Sequence, residues 1–96
     1  MLTSKQRSNL RGIAAKIEPI GQVGKNGISE NMVKSFSDAL DARELIKLTV
    51  LESSEKSAKE TGAELAAALK AEFVAATGRK VVLYRRSARD IEHIEF

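Results

Sequence analysis

The sequence of 96 residues contains no cysteine and no tryptophan, only one proline, and few aromatic side chains, which make up 4% of the chain. Without cysteine there can be no disulfide bond, no thiolate metal site and no cysteine nucleophile. The first residues, MLTSK, lack the apolar segment of a signal peptide, and no apolar run approaches the roughly 20 residues of a membrane span. We therefore expect a cytoplasmic protein with no membrane association.

The apolar content of the chain, 43%, is sufficient for a hydrophobic core built mainly from Leu, Ile, Val and Ala. A chain of this length has the common size of one domain and little material for a second. With 30% charged residues, the composition is typical of a globular protein and not of a disordered one. We predict a single domain over residues 1–96.

Positive charge is concentrated towards both ends of the chain. Six basic and two acidic residues give residues 1–37 a charge of +4, and five basic and three acidic residues give residues 79–96 a charge of +2. The middle, residues 38–78, carries five basic and eight acidic residues, hence −3. This distribution is expected if one surface faces a polyanion, although ordinary scatter of surface charge explains it equally well.

The hydrophobic pattern predicts helices and strands that alternate along the chain, and a capping box, Thr3-x-x-Gln6, marks the first helix. The predicted elements are a helix over 4–16, a strand over 20–23, a helix from Ser29 to 42, a strand over 44–51, a helix around Leu65 that ends at Gly78, a strand over 81–84 and a last strand over 91–96. Alternating strands and helices favour a largely parallel or mixed sheet.

The segment Gly24-Lys25-Asn26-Gly27 lies between the first predicted strand and the second helix. Two glycines permit a close approach of a ligand to the backbone, a helix N-terminus offers free N–H groups to an anion, and Lys25 adds positive charge. Asn26 can donate to a phosphate or a base edge, and the four residues match the G-x-x-G clamp that KH modules place on nucleotide backbones. On the four letters alone, a tight Asn-Gly turn explains the motif at least as well.

Other phosphate-binding motifs and active sites are not indicated. A Walker A loop requires Ser or Thr after Gly-Lys, and here Asn26 follows. His93, the only histidine, is interpreted as a solvated strand residue, and the carboxylates of residues 38–72 as solvating charge on helix surfaces. The sequence therefore predicts no catalytic residue, no cofactor and no metal site.

Basic side chains on the first helix and around the predicted strand over 81–84 are further candidates for binding a polyanion. They are Lys5, Arg7, Arg11, Arg79, Lys80, Arg85 and Arg86. Tyr84 lies in that strand, and its ring either stacks on a base from an exposed face or is half-buried with its hydroxyl at the rim.

An ordered set of short motifs runs through the chain: Lys5-Gln6-Arg7 with Leu10-Arg11, Pro19, Gly24 to Gly27, Ala39-Leu40, Glu44-Leu45-Ile46-Lys47 and Leu83-Tyr84-Arg85. This set resembles the CRM domain, the chloroplast RNA splicing and ribosome maturation family, in its free-standing bacterial YhbY-like form. The resemblance covers essentially the whole chain and is weakest over residues 52–77. Two positions depart from the pattern: Arg43 stands where histidine is expected, and Arg86 where proline is expected.

The resemblance implies a two-layer αβαβαββ fold of the α/β class with a four-stranded mixed sheet, similar to the C-terminal domain of a bacterial translation initiation factor. It also implies that the G-x-x-G loop is the RNA-binding element and that bacterial members associate with precursor large ribosomal subunits, plant relatives with intron RNA. Position by position, only Gly24, Lys25, Asn26 and Gly27 match that element.

The leading hypothesis is a non-enzymatic, monomeric RNA-binding protein that contacts ribosomal RNA during assembly of the large subunit and has no expected role with DNA. An alternative is a protein–protein adaptor that docks its sheet face on a ribosomal protein or assembly factor. An enzyme acting on a phosphate ligand is a third possibility, for which the sequence shows no base and no nucleophile.

Overall fold

The structure is a computed structural model that describes residues 2–96, and it contains three helices and four strands within them. In chain order the elements are α1 (Ser4–Ala14), β1 (Gln22–Val23), α2 (Glu30–Arg43), β2 (Leu45–Val50), α3 (Ala58–Leu69), β3 (Glu72–Thr77) and β4 (Lys80–Tyr84). The order αβαβαββ, implied by the resemblance, is confirmed. None of the helices within residues 2–96 has the length and apolar character needed to cross a membrane.

Each helix begins after a hydroxyl side chain that accepts a backbone hydrogen bond. Thr3 caps α1 by accepting a hydrogen bond from the Gln6 N–H, and Gln6 Oε1 accepts one from the Thr3 N–H. The predicted capping box is therefore present. Ser29 caps α2 as predicted. A second capping box, formed by Ser57 and Glu60, begins α3.

The predicted third helix is wrong beyond Leu69. Lys70 adopts a left-handed backbone (φ 54°), and the Ala71 N–H donates to the carbonyl of Ala66, which ends α3. The chain then turns back as β3, and Gly78 (φ 59°) lies in the tight turn between β3 and β4 instead of at a helix end. Pairing with β4 outweighs the helix preference of the alanines in β3.

The four strands form one mixed sheet in the order β1-β2-β4-β3. Strand β1 runs parallel to β2, with Val23 opposite Val50, whereas β4 is antiparallel to both of its neighbours, β2 and β3. A register shift between Phe73 and Ala75 interrupts the pairing of β3. The strand predicted over residues 91–96 is wrong, because these residues form no strand and instead pack on the α1 side of the sheet.

Helices cover both faces of the sheet. On one face, α2 and α3 pack on Ile46, Leu48 and Leu83, which are fully buried. The other face carries a separate cluster of buried residues: Leu10, Ala14, Leu45, Val74, Val82 and Tyr84. Helix α1 therefore adds a third layer to the two that were expected.

Candidate functional site

The four residues from Gly24 to Gly27, here called the GKNG loop, form a tight turn at the exit of β1. The Gly27 N–H donates to the Gly24 carbonyl (3.0 Å), and Gly27 has a φ of 68°, which favours glycine. A Cβ at Gly24 would lie 3.3 Å from Leu51 Cδ1, so the missing side chain lets the turn pack against the segment that leaves β2. Lys25 and Asn26 are exposed. The loop thus presents one cationic and one amide side chain on a defined backbone.

The sheet brings Arg79 and Lys80 to the same end as the GKNG loop, here called the loop end. Because β1 is parallel and β4 antiparallel to β2, the exits of β1 and β2 lie beside the entry of β4. The Leu51 N–H donates to the Val23 carbonyl (2.8 Å), and the Val50 N–H donates to the Arg79 carbonyl (2.7 Å). These bonds hold three segments, distant in sequence, side by side.

The side chains of Arg79 and Lys80 both remain accessible to an external anion. Arg79 lies 3.1 Å from the carboxylate of Glu52 in a pair whose side chains are 54% and 85% exposed, and exposed pairs of this kind are weak. Lys80 Nζ donates to Thr49 Oγ1 (2.8 Å) and has no carboxylate partner within residues 2–96.

A cleft between α1 and the sheet adds two cations to the loop end. It has a volume of about 520 Å³, and its lining includes Arg11 from α1, Lys47 from β2 and Lys80 from β4. Lys47 Nζ donates to the carbonyl of Ala14 at the end of α1 (3.2 Å), which links the helix to the strand beneath it. The cleft therefore reaches the loop end at Lys80, which also borders Gly21 and Gln22 of the β1 segment.

The other exposed basic residues that the sequence predicted as RNA contacts do not all lie at the loop end or in the cleft. Arg7 lies one helical turn before Arg11, on the same flank of α1. Lys5 is exposed on α1 but does not line the cleft. Arg86 is exposed after β4, at the opposite end of the sheet, here called the far end.

Arg85, also at the far end, is committed to contacts within the protein. Its Nη1 donates to the Leu69 carbonyl (2.8 Å), and its Nη2 donates to the Ser37 carbonyl (2.9 Å) and lies 3.0 Å from Asp41 Oδ1. The guanidinium thereby joins α2, α3 and β4, and its side chain is only 21% exposed. These contacts indicate a structural role for Arg85, and its contact with RNA stays a prediction.

Glu44 forms the centre of a buried polar network at the far end, contrary to the expectation of solvating charge. It is fully buried, and its carboxylate accepts hydrogen bonds from the N–H groups of Ser87 (2.7 Å) and Ile94 (2.8 Å). His93 Nδ1 lies 2.6 Å from the same carboxylate, so His93 is a structural partner and not a solvated residue. Burial raises the pKa of Glu44, but the hydrogen bonds from His93, Ser87 and Ile94 outweigh burial and hold the pKa below its ordinary value.

Tyr84 is buried beneath the C-terminal residues and is not at the surface. Its ring makes an edge-to-face contact with Phe96, with centroids 4.8 Å apart. Burial, and then the charge of Glu44, raise the pKa of its hydroxyl. The suggestion that Tyr84 stacks on a base is therefore wrong.

Lys47 is the residue of this surface that the sequence analysis missed. The alternation of side chains along β2 puts Lys47 on the face of the strand opposite to that of Ile46 and Leu48. Only the packing of α1 shows that the Lys47 face borders a cleft. The sequence does contain a signal for Lys47, because it is a lysine on the strand face that a basic amphipathic helix must cover. Within residues 2–96, no group of three or more His, Asp or Glu side chains is placed to hold a metal ion.

Comparisons with known proteins identify similar sequences and a similar fold. A family model for the CRS1 / YhbY (CRM) domain matches residues 2–85. YqeI of Bacillus subtilis is 41% identical over 87 residues, which are 91% of each chain, and a protein of Haemophilus influenzae is 31% identical over 90% of this chain and 87% of its own. The solution structure of the hypothetical protein SAV1595 from Staphylococcus aureus matches with a TM-score of 0.81 at 44% identity over 98% of both chains. RNA binding is ascribed to, or suggested for, all three relatives.

Proposed function

This chain belongs to the CRS1 / YhbY (CRM) domain family, and from that membership we propose that it binds RNA through the GKNG loop and the cations beside it. The observation that supports the proposal most directly is that four separate segments place polar or cationic side chains at the loop end or in the cleft that reaches it. These segments contribute Lys25 and Asn26, Arg79 and Lys80, Lys47, and Arg11.

The GKNG loop is proposed to hold the sugar-phosphate backbone. Lys25 supplies a mobile positive charge, Asn26 supplies hydrogen bonds, and the close turn at Gly24 and Gly27 lets a phosphate approach the backbone N–H groups. Arg79, Lys80 and Arg11 add contacts that release counterions from the RNA. Contacts of this kind position the protein on the RNA without reading its sequence.

The proposed target is ribosomal RNA of the precursor large subunit, as the family resemblance implies. In this role the protein acts as a monomer in the cytoplasm, without a cofactor and without catalysis, and assists assembly by occupying its RNA site. The RNA-binding names of the curated relatives support RNA as the partner.

The loop assignment is tested with the double variant Lys25→Glu, Asn26→Ala. We expect its affinity for transcribed large-subunit ribosomal RNA, measured by filter binding, to fall by about tenfold or more, as expected for reversing one phosphate contact and removing another. Lys70→Glu is the matched control, because it makes the same charge reversal on an exposed residue. Lys70 lies at the end of α3, at the far end, next to the contact of Leu69 with Arg85.

Unchanged affinity and an unchanged salt dependence in the loop variant, with its fold intact by circular dichroism, would contradict the loop assignment. An adaptor function is distinguished by nuclease treatment before co-purification. A partner protein retained after digestion of the RNA would favour the adaptor, whereas its release supports binding through RNA.

A further inference from the structure

We propose that the cleft between α1 and the sheet holds one unpaired nucleotide of the bound RNA, with its phosphate on Arg11, Lys47 and Lys80 and its base against the apolar floor. The inference rests on the proposed function, since it assumes that RNA is bound at the loop end. It assigns a second contact, separate from the GKNG loop, and a preference for single-stranded over paired RNA.

The charge of the cleft indicates an anionic ligand. Its lining contains Arg11, Lys47 and Lys80 and no carboxylate. None of these three cations pairs with a carboxylate anywhere in residues 2–96. Lys47 is half-buried, and within residues 2–96 the only hydrogen bond of its side chain goes to the Ala14 carbonyl, so two of the three ammonium donors remain for a ligand. A partly buried cation without a counter-ion is unfavourable, and a bound phosphate removes that cost.

The shape and remaining lining of the cleft indicate that more than a phosphate is accommodated. Its volume of about 520 Å³ is within the range of small-molecule sites, roughly 300–1,000 Å³. Ala14, Ala15, Ala75 and Val82 form an apolar floor suited to the flat face of a base. The hydroxyl groups of Ser8 and Thr77, in the same lining, can bond to base edges or to a ribose 2′-OH.

The position of the cleft puts this nucleotide at the same end of the sheet as the GKNG loop. Lys80 lines the cleft and also the neighbouring surface beside Gly21 and Gln22 of the β1 segment. A base in a duplex cannot enter the cleft without leaving its pair, which costs a few kcal/mol. Loops, bulges and single strands therefore fit this site and a continuous helix does not.

The test fills the cleft without changing its charge. Gly12 lines the cleft, and a Cβ built on it meets nothing within 4 Å, so Gly12→Leu should fold and occupy the space of the base. Asn9→Leu adds the same side chain on an exposed position of α1 that does not line the cleft, and it is the matched control. The probes are a 20-nucleotide oligouridine and a 20-base-pair RNA duplex, and the readout is fluorescence anisotropy.

We expect Gly12→Leu to weaken oligouridine binding by about fivefold or more, the effect of losing one stacked base, and to change duplex binding by less than about twofold. Asn9→Leu should change neither. In a second variant, Lys47→Met, the slope of log K against log salt for oligouridine should fall by about 0.7, the value for one phosphate contact on a single strand.

Wild-type affinity of Gly12→Leu for oligouridine, or an equal loss for both probes, overturns the proposal. A wild-type protein that binds ribosomal RNA but not oligouridine also overturns the proposal, whereas one that binds neither probe nor ribosomal RNA contradicts the proposed function itself. Loss of binding in the loop variant with normal binding in both cleft variants rejects the nucleotide site alone.

Discussion

The two ends of the sheet use charged side chains in opposite ways. At the far end, Arg85 and Glu44 are satisfied by protein atoms, including three carbonyl or hydroxyl oxygens around Arg85 and two backbone N–H groups around Glu44. At the loop end, Lys80 and Arg11 have no carboxylate partner within residues 2–96, and Arg79 has an exposed one. Arg85 and Glu44 at the far end therefore stabilise the fold, whereas Arg11, Arg79 and Lys80 at the loop end are available to a ligand.

This difference shows why basic residues close in sequence have different roles. Arg79 and Arg85 flank the same strand, β4, at opposite ends. Only Arg85 meets helix carbonyls and an aspartate, because the C-terminal end of β4 lies against the ends of α2 and α3. The separation of stability from binding can be tested by substitutions at each end.

The largest effect on stability is expected from Glu44→Gln. An amide in place of the buried carboxylate cannot accept all three contacts, so the free energy of unfolding should fall by about 2–3 kcal/mol, measured by urea denaturation. Affinity for RNA at neutral pH, per folded molecule, should be unchanged. Glu52→Gln, at an exposed carboxylate of the loop end, is the control and should leave stability nearly unchanged.

A smaller effect on the free energy of unfolding is expected from lowering the pH. The pKa of Glu44 is held below its ordinary value of 4.5, so its contribution to stability is present above that value and is lost as the pH falls through the lowered pKa. Urea denaturation from pH 7 to pH 3 should therefore show the difference between wild type and Glu44→Gln narrowing below about pH 4.5. A difference that stays constant over this range would mean that the charge of Glu44 is not what stabilises the far end.

The smallest effect on stability, with a clear effect on binding, is expected from Arg79→Gln. Its ion pair with Glu52 is exposed, so the free energy of unfolding should change by less than about 0.5 kcal/mol. RNA affinity should decrease, and the slope of log K against log salt should fall by about 0.7–0.9. A loss of stability comparable to that of Glu44→Gln would remove the distinction between the two ends.

Local signals in the sequence predicted much of the fold. Thr3 and Ser29 mark helix starts because capping involves residues only a few positions apart. The alternation in β2 is explicit in residues 45–50. The boundary between α3 and β3 was missed because Lys70, a residue with no strong preference for left-handed geometry, ends the helix there.

In the candidate site, too, local features could be predicted from the sequence and contacts between distant segments could not. The GKNG loop is a contiguous motif, and its turn geometry follows from its two glycines. The cleft and the Glu44 network depend on segments that are far apart in the chain, such as Lys47 with Ala14 and Glu44 with Ile94. Sequence spacing does not specify such contacts. Lys47 was therefore overlooked, His93 was interpreted as solvated, and the burial of Tyr84 was left open between two alternatives.

The order of the strands has a consequence for behaviour at high concentration. A sheet edge with unpaired N–H and C=O groups can recruit the edge of another molecule and lead to aggregation. One edge here is β1, which is only two residues long, and the other is β3, whose register shift between Phe73 and Ala75 interrupts regular pairing. Both edges are therefore poor templates for strand addition, and we expect the protein to resist aggregation through its sheet edges at high concentration.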